Sequence, residues 1–138
     1  MADEVRDVVE GDGYSVANFD ALGEGPGFRK VRRALGVTAF GVNAIVLPVD
    51  YETGRHFHDE QEELYFLHRG RIEITFNDDT THTLGPGGLA RVDAGTIRKI
   101  KNVGDEPCVY LVTGGKDGYV GRDGRQPEDE TSRVGPSS

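Results

Sequence analysis

Apolar and polar residues alternate along several short segments of the chain, which is the pattern of β-strands with one buried face. In residues 71–76 every second position is apolar, whereas the positions between are charged or polar. The run 40–47 also alternates, but its second set of positions turns apolar towards its end, which predicts a strand buried on both faces there. Further strands are predicted in the short apolar runs 80–84, 89–92, 97–101 and 108–113.

Turn-forming residues separate these runs. Glycine occupies 20 of the 138 positions and clusters at 23–27, 85–88 and 114–115. The triplet Asn77-Asp78-Asp79 predicts a hairpin between two of the runs. No helical periodicity extends beyond one or two turns, so the chain is predicted to be all-β, a sandwich or a small barrel.

The length of 138 residues, with a mass of 15.0 kDa, fits one domain. We predict an acidic N-terminal arm at 1–15, a barrel at 16–114 and a flexible C-terminal tail at 115–138. The ends carry most of the net charge of −8, because residues 1–12 sum to −4 and residues 126–138 to −2. The remaining body of the chain is therefore close to neutral.

This composition disfavours several classes of function. An acidic chain is a poor partner for nucleic acid, and no run of about 18 apolar residues is present to span a membrane. The start of the chain is acidic, where a secretory signal would be basic and then apolar. The single cysteine, Cys108, cannot form an internal disulfide. We therefore expect a cytoplasmic protein that binds neither nucleic acid nor membrane.

The residues with distinctive chemistry lie between positions 56 and 63. His56 and His58 are two apart, so on a strand both imidazoles project from the same face. A carboxylate after a short turn, from Glu62 or Glu63, can close on the same point. Alternation leaves the choice between these two open, because both faces of the strand that follows are apolar. Two imidazoles and a carboxylate suit Fe, Mn, Ni or Zn, whereas the simpler interpretation is a polar loop in solvent.

The spacing of these residues resembles the first motif of the cupin superfamily. His56 and His58 are followed after four residues by Glu63 and after six more by Gly70. The leading glycine of that motif is absent, since position 50 is aspartate. The resemblance implies a single-domain jelly-roll β-barrel, the double-stranded β-helix, in which His56, His58 and Glu63 are metal ligands.

The second motif of the same superfamily is altered in this chain. Gly87, Gly95 and Asn102 keep its spacing. Asp93 stands where the resemblance implies proline, and Arg98 stands where it implies the remaining metal-binding histidine. Three of four ligands of the resembled site are thus present.

Strand alternation gives an independent prediction for the direction of Arg98. Lys99 and Lys101 share one face with Ile97, and two lysines on one face indicate that it contacts water. Arg98 and Ile100 then face the interior, towards the space that the histidines line.

Arg98 allows three arrangements. It can pair with Glu63 or Glu62, in which case no metal binds tightly, because a fixed positive charge repels a cation. It can instead hold the carboxylate of a bound anion beside a metal on His56, His58 and Glu63. In the third arrangement it lies at the outer rim and extends to solvent.

These features predict a small cupin with a polar barrel pocket. The first hypothesis for its function is a divalent-metal-dependent enzyme that acts on a small organic acid. Arg98 and Tyr65 are the predicted substrate contacts, and no residue is assigned a catalytic role. The alternatives are a non-catalytic module for small anions with a degenerate metal site, and a scaffold protein. The resemblance implies a homodimer through outer strands, supported by apolar residues such as Leu64 and Phe66 on the face opposite Tyr65. The run 19–35 is an alternative cover for that face.

Overall fold

A computed structural model describes residues 2–77 and 79–127, and strands make up most of the secondary structure in them. The strands are β1 (Val9–Gly11), β2 (Tyr14–Val16), β3 (Gly27–Arg29), β4 (Gly41–Leu47), β5 (Phe57–His58), β6 (Glu62–Arg69), β7 (Ile72–Phe76), β8 (Thr81–Leu84), β9 (Leu89–Val92), β10 (Arg98–Asn102), β11 (Cys108–Gly115) and β12 (Gly124–Arg125). A 3₁₀ turn (Phe19–Leu22) and one short helix, α1 (Val31–Leu35), complete the described elements. The predicted all-β class is confirmed.

Two antiparallel sheets form the body of the molecule. The larger has the strand order β3-β4-β11-β6-β9, and the smaller has the order β10-β7-β8. Two further pairs, β1 with β2 and β12 with β5, are short ribbons. The predicted tail beyond residue 127 and Asp78 of the predicted hairpin lie outside the described residues. Among the described residues, no helix has the length and apolar character needed to cross a bilayer.

The core lies between the two sheets and is built by residues at alternate positions. In β6 every second side chain is buried, from Glu63 through Tyr65 to Leu67, while the side chains between are exposed. Ile74 and Ile100 are the facing contribution of the smaller sheet, each 1 % exposed. Burying one large apolar side chain contributes roughly 1.5–3 kcal/mol, so these alternating positions fix which face of each strand points inward.

Alternation also fixes the direction of Arg98. Arg98, Ile100 and Asn102 are buried along β10, whereas Lys99 and Lys101 are only partly so. Arg98 is fully buried, which agrees with the inward direction predicted from the lysines and excludes a position at the outer rim. Ile97 lies just before the strand and is half-buried, and its N–H donates to the side chain of Asn77.

The segment before β4 covers one part of the larger sheet. β3 pairs with β4, and α1 contributes Val31 and Leu35 to a groove that Ala44 and Leu111 also line. The predicted cover by residues 19–35 therefore exists, and it extends from β4 to Phe66 of β6, which lines the same groove. Farther along the same sheet, Leu64 and Leu89 remain exposed.

Candidate metal centre

His56 and His58 lie on one inward-facing edge of the barrel. His56 forms an antiparallel bridge with Arg98, with N···O distances of 3.0 and 2.9 Å between their backbones. The N–H of His58 donates to the carbonyl of Ala94 over 2.8 Å. These bonds hold both histidines in extended backbone, so the period of two brings both imidazoles to one face.

The two imidazoles meet the carboxylate of Glu63. One ligand atom from each of the three residues lies within 4.8 Å of the others, and all three side chains are buried. His58 Nε2 is 3.2 Å from Glu63 Oε1. Glu62 points away, because it is exposed and forms an ion pair with Arg91 over 2.8 Å. The geometry thus selects Glu63 over Glu62 as the acidic member of the cluster.

A second carboxylate reaches the cluster from the C-terminal segment. Asp123 Oδ1 lies 2.8 Å from His58 Nδ1, on the opposite side of the ring from Glu63. The backbone N–H groups of Glu60 and Gln61 donate to Asp123 Oδ2 over 2.8 and 3.0 Å. Asp123 is not predicted from the sequence, because the Asp123-Gly124 pair is typical of an ordinary turn and Asp123 lies 65 positions from His58.

The different neighbours of the two histidines shift their pKa values in opposite directions. Burial, and then the positive charge of Arg98, lower the pKa of His56 from 6.5 to about 4. Burial also acts to lower the pKa of His58, but the hydrogen bonds and negative charge of Glu63 and Asp123 outweigh it, so this pKa is raised. The surroundings of His58 therefore favour its imidazolium form, whereas His56 is neutral at pH 7.

Tyr65 supports Glu63. Its hydroxyl donates to Glu63 Oε1 over 2.6 Å, and burial together with the charge of Glu63 raises the pKa of the phenol well above 10. Tyr65 also lines the neighbouring cavity. Its predicted role as a substrate contact stays a prediction.

The guanidinium of Arg98 is only partly hydrogen-bonded. Nη2 donates to the carbonyl of Asp93 over 2.9 Å, whereas Nε and Nη1 are buried and have no hydrogen-bond partner in the described part of the chain. Unpaired buried donors are costly. The predicted pairing of Arg98 with Glu62 is not formed, since Glu62 is bound to Arg91.

The donor set fits a divalent transition metal. It offers two imidazoles and one carboxylate, a combination that suits Fe, Mn, Ni or Zn and leaves coordination positions for other ligands. His56 Nδ1 is buried without a hydrogen-bond partner among the residues described. The carboxylate of Asp123 orients His58 through Nδ1, the ring nitrogen on the side away from Glu63. Metal-binding histidines commonly have such a partner on the nitrogen that does not bind the metal.

A cavity of about 240 Å³ adjoins the cluster through His56 and Tyr65. Apart from these two and a few hydroxyl-bearing side chains, its walls are apolar. The lining residues are Pro26, Gly27, Phe28, Ile45, Val46, Leu47, Pro48, Tyr51, Thr53, His56, Tyr65, Ile100, Tyr110 and Val112. We expected a polar pocket, whereas most of this lining comes from the apolar barrel core.

Solved structures with the same fold come from proteins with different names. The cupin domain of Schizosaccharomyces pombe Cnp3 is 25% identical, with 57% of each chain covered and a TM-score of 0.54. A sugar phosphate isomerase of the cupin superfamily from Silicibacter pomeroyi is 23% identical (78% of this chain and 71% of that chain covered, TM-score 0.64). The DMSP lyase DddQ from Ruegeria pomeroyi is 22% identical (64% and 43% covered, TM-score 0.55).

These similarities establish the predicted double-stranded β-helix and leave the activity open, since one fold hosts many functions. The match spans little more than half the length of the Cnp3 chain. No protein with a curated description matches this sequence. The sequence profile described as "Cupin domain" matches residues 44–114, which is half of the chain and includes His56, His58, Glu63 and Arg98. The chain therefore belongs to the cupin family.

Proposed function

We propose that the protein binds one divalent transition metal through His56, His58 and Glu63 and acts there on a small organic acid. The observation that carries the proposal is the burial of all three donors around one point. Arg98, whose charge acts on both histidines, retains two donors without partners in the described residues. A carboxylate of the acid would pair with these donors.

The residues around the metal position have different roles in holding the metal. A bound divalent metal would supply Lewis-acid polarisation of a substrate oxygen or a lowered pKa for bound water. Glu63 brings the negative charge that offsets the cation, and the hydroxyl of Tyr65 holds that carboxylate in place. His56 is neutral at pH 7 and is ready to donate a lone pair without first losing a proton.

Charge balance favours an anionic ligand. Glu63 and Asp123 contribute −1 each, Arg98 contributes +1 and the metal contributes +2, so the site carries a net positive charge of +1 until an anion enters. The carboxylate of the acid supplies it, and the body of the acid extends into the apolar cavity. Two of the similar structures are named as an isomerase and a lyase, so isomerisation and lyase chemistry are the reactions to assay first, followed by oxygenation.

A non-catalytic anion-binding module is the second candidate. It is favoured by Arg98 itself, because a fixed cation occupies the position of the histidine expected in the second motif. Both candidates require the anion to bind, and only the enzyme converts it. Detection of product after incubation of the loaded protein with a bound acid separates them.

Metal binding is tested first, on protein purified without a histidine tag. We expect one equivalent of Fe, Mn, Ni or Zn in the purified protein or after titration, measured by elemental analysis and calorimetry. His56→Ala should abolish it, whereas His82→Ala, which changes an exposed histidine outside the cluster, should not. If the wild-type protein takes up none of these metals, the proposed function is rejected.

Anion binding is tested next, by thermal shift of the metal-loaded protein against a panel of small carboxylates. An acid that raises the melting temperature of the wild type should have no effect on Arg98→Ala. Arg91→Ala is the matched control, because Arg91 is an exposed arginine engaged by Glu62 and Asp93. A response that Arg98→Ala retains in full would contradict the assignment of Arg98.

A further inference from the structure

We propose that Asp123 is a positioning residue, which fixes the tautomer of His58 so that Nε2 is presented to the metal. The inference rests on the proposed function. Asp123 lies outside residues 44–114, the part of the chain that matches the family. The C-terminal segment thus contributes to the site a group that the matched region lacks.

Four donors surround the carboxylate of Asp123. Oδ2 accepts the backbone N–H groups of Glu60 and Gln61. Oδ1 accepts the side-chain amide of Gln61 over 2.5 Å and lies 2.8 Å from His58 Nδ1. With 8 % of its surface exposed, Asp123 is screened from water by these same groups. Its orientation is therefore set by several independent bonds.

This arrangement decides which nitrogen of His58 carries a proton. An ionised carboxylate only accepts hydrogen bonds, so His58 Nδ1 must be the donor towards Asp123. The lone pair available for a metal is then on Nε2, the atom that lies 3.2 Å from Glu63 Oε1. Without Asp123 the ring could place its proton on either nitrogen, and only one of the two tautomers could bind the metal.

The backbone delivers Asp123 to this position. β12 pairs antiparallel with β5, opposing Gly124 to His58 and Arg125 to Phe57. The N–H of Asp59 also donates to the carbonyl of Asp123 over 3.2 Å. The residue before β12 is thereby held next to the strand that carries the histidine ligand.

Asparagine cannot replace this carboxylate. Its amide presents an NH₂ group on one side, and in Asp123 both oxygens face donors. Either orientation of the amide therefore sets a donor against a donor. Asp123→Asn changes the volume little, and it replaces a carboxylate that accepts on both sides by an uncharged group that accepts on one side only.

The first experiment compares affinities for Zn²⁺, measured by competition with a chromophoric chelator. We expect Asp123→Asn to bind Zn²⁺ roughly 10- to 100-fold more weakly than the wild type. Asp59→Asn is the matched control: it breaks the exposed Asp59–Arg125 ion pair, which joins the same two segments, and leaves His58 untouched. The control should stay within about twofold of the wild type. Equal affinities of Asp123→Asn and the wild type would overturn the proposal.

The second experiment reads the tautomer directly and needs no variant that has to fold. Nitrogen-15 NMR of the wild-type histidine side chains should show a proton on His58 Nδ1, both without metal and with Zn²⁺ on Nε2. An unprotonated or zinc-bound Nδ1 would overturn the proposal. A wild type that binds no Zn²⁺ or other divalent metal would reject the proposed function, whereas the metal-free spectrum, recorded above the pH at which His58 loses its imidazolium proton, would still test the role of Asp123.

Discussion

His56 and His58 belong to one short motif, but their neighbours shift their pKa values in opposite directions. His56 is buried and bridged to Arg98 along the backbone, so its imidazolium form is disfavoured. His58 lies between Glu63 and Asp123, which favour its imidazolium form. The difference follows from contacts across strands, and it makes the stability of the metal-free protein depend on pH in two separate ranges.

The first prediction concerns the loss of stability of the metal-free protein at acid pH. The pKa of His56 is about 4 in the folded protein and 6.5 in the unfolded chain. Between these values the unfolded chain binds more protons, so stability is complete above pH 6.5 and is lost as the pH falls. The loss due to His56 between pH 6.5 and 5 should be about 2 kcal/mol, measured by urea denaturation. His58 contributes mainly above pH 6.5, because its raised pKa gives stability that is lost as the pH rises through it.

His56→Gln should flatten the acid limb, since it removes the group that titrates only in the unfolded chain. His82→Gln is the control, because His82 is exposed on β8 and should leave the slope as it is in the wild type. A slope between pH 6.5 and 5 that is the same in His56→Gln and the wild type would contradict the prediction.

A second residue-scale prediction concerns the charge of Arg98. Arg98 stands where the cupin motif has a metal-binding histidine, and its charge opposes a second cation nearby. Arg98→His should therefore bind Zn²⁺ at least about tenfold more tightly than the wild type, since it removes a repulsion and adds a donor. Arg98→Ala separates the two effects, because it removes only the charge. Calorimetry with Zn²⁺ measures both, and an affinity of Arg98→His no higher than that of Arg98→Ala would show that position 98 cannot supply a ligand.

At the scale of elements, the turn between β6 and β7 depends on a glycine that the sequence motif already includes. Gly70 has a φ of +96°, and a Cβ at this position would lie 2.7 Å from Cys108 Cβ and 2.9 Å from its Cα. Gly70→Ala should lower the free energy of unfolding by about 2–4 kcal/mol, from the strained φ and the contact with backbone. Gly87 is the matched control, with a φ of +89° and open space around it.

Gly87→Ala should cost only about 1–2 kcal/mol, the penalty of a left-handed φ alone. Urea denaturation of the two variants beside the wild type gives the comparison. Equal losses in the two variants would mean that the packing of Gly70 against Cys108 adds nothing to its conformational requirement.

Much of the strand arrangement could be predicted because alternation and turn residues are local. β7 and β10 coincide with alternating runs, and the inward direction of Arg98 follows from the two lysines beside it. The choice of Glu63 could not be made in this way, because both faces of β6 are apolar. It depends on which face of the larger sheet meets the smaller one, and that is a property of the packed barrel.

The position of Asp123 could not be predicted from local sequence patterns. β12 is two residues long and too short to show any period, and its pairing with β5 joins segments more than 60 positions apart. Local propensity gives no information about contacts of that range. Only the assembled backbone brings this carboxylate to His58.

At the scale of the whole molecule, the exposed face of the larger sheet is unevenly covered. Residues 19–35 extend from β4 to the groove that Phe66 also lines. Leu64, Phe66 and Leu89 nevertheless remain 44, 38 and 61 % exposed. Phe66 on β6 and Leu89 on β9 lie directly opposite each other in the sheet. An adjoining set of large apolar side chains in water is unfavourable, and its burial against a second copy of the same face would remove it.

We therefore expect a homodimer in which this face packs against itself about a two-fold axis. Leu89→Asp should shift the protein to monomer, because the symmetry brings two introduced carboxylates into one apolar interface. Val9→Asp is the control, since Val9 is also half-exposed but lies on the N-terminal hairpin. Sedimentation velocity at micromolar concentration distinguishes the species. A wild type that sediments as a monomer, or a Leu89→Asp variant that still sediments as a dimer, would assign the exposed face to something other than self-association.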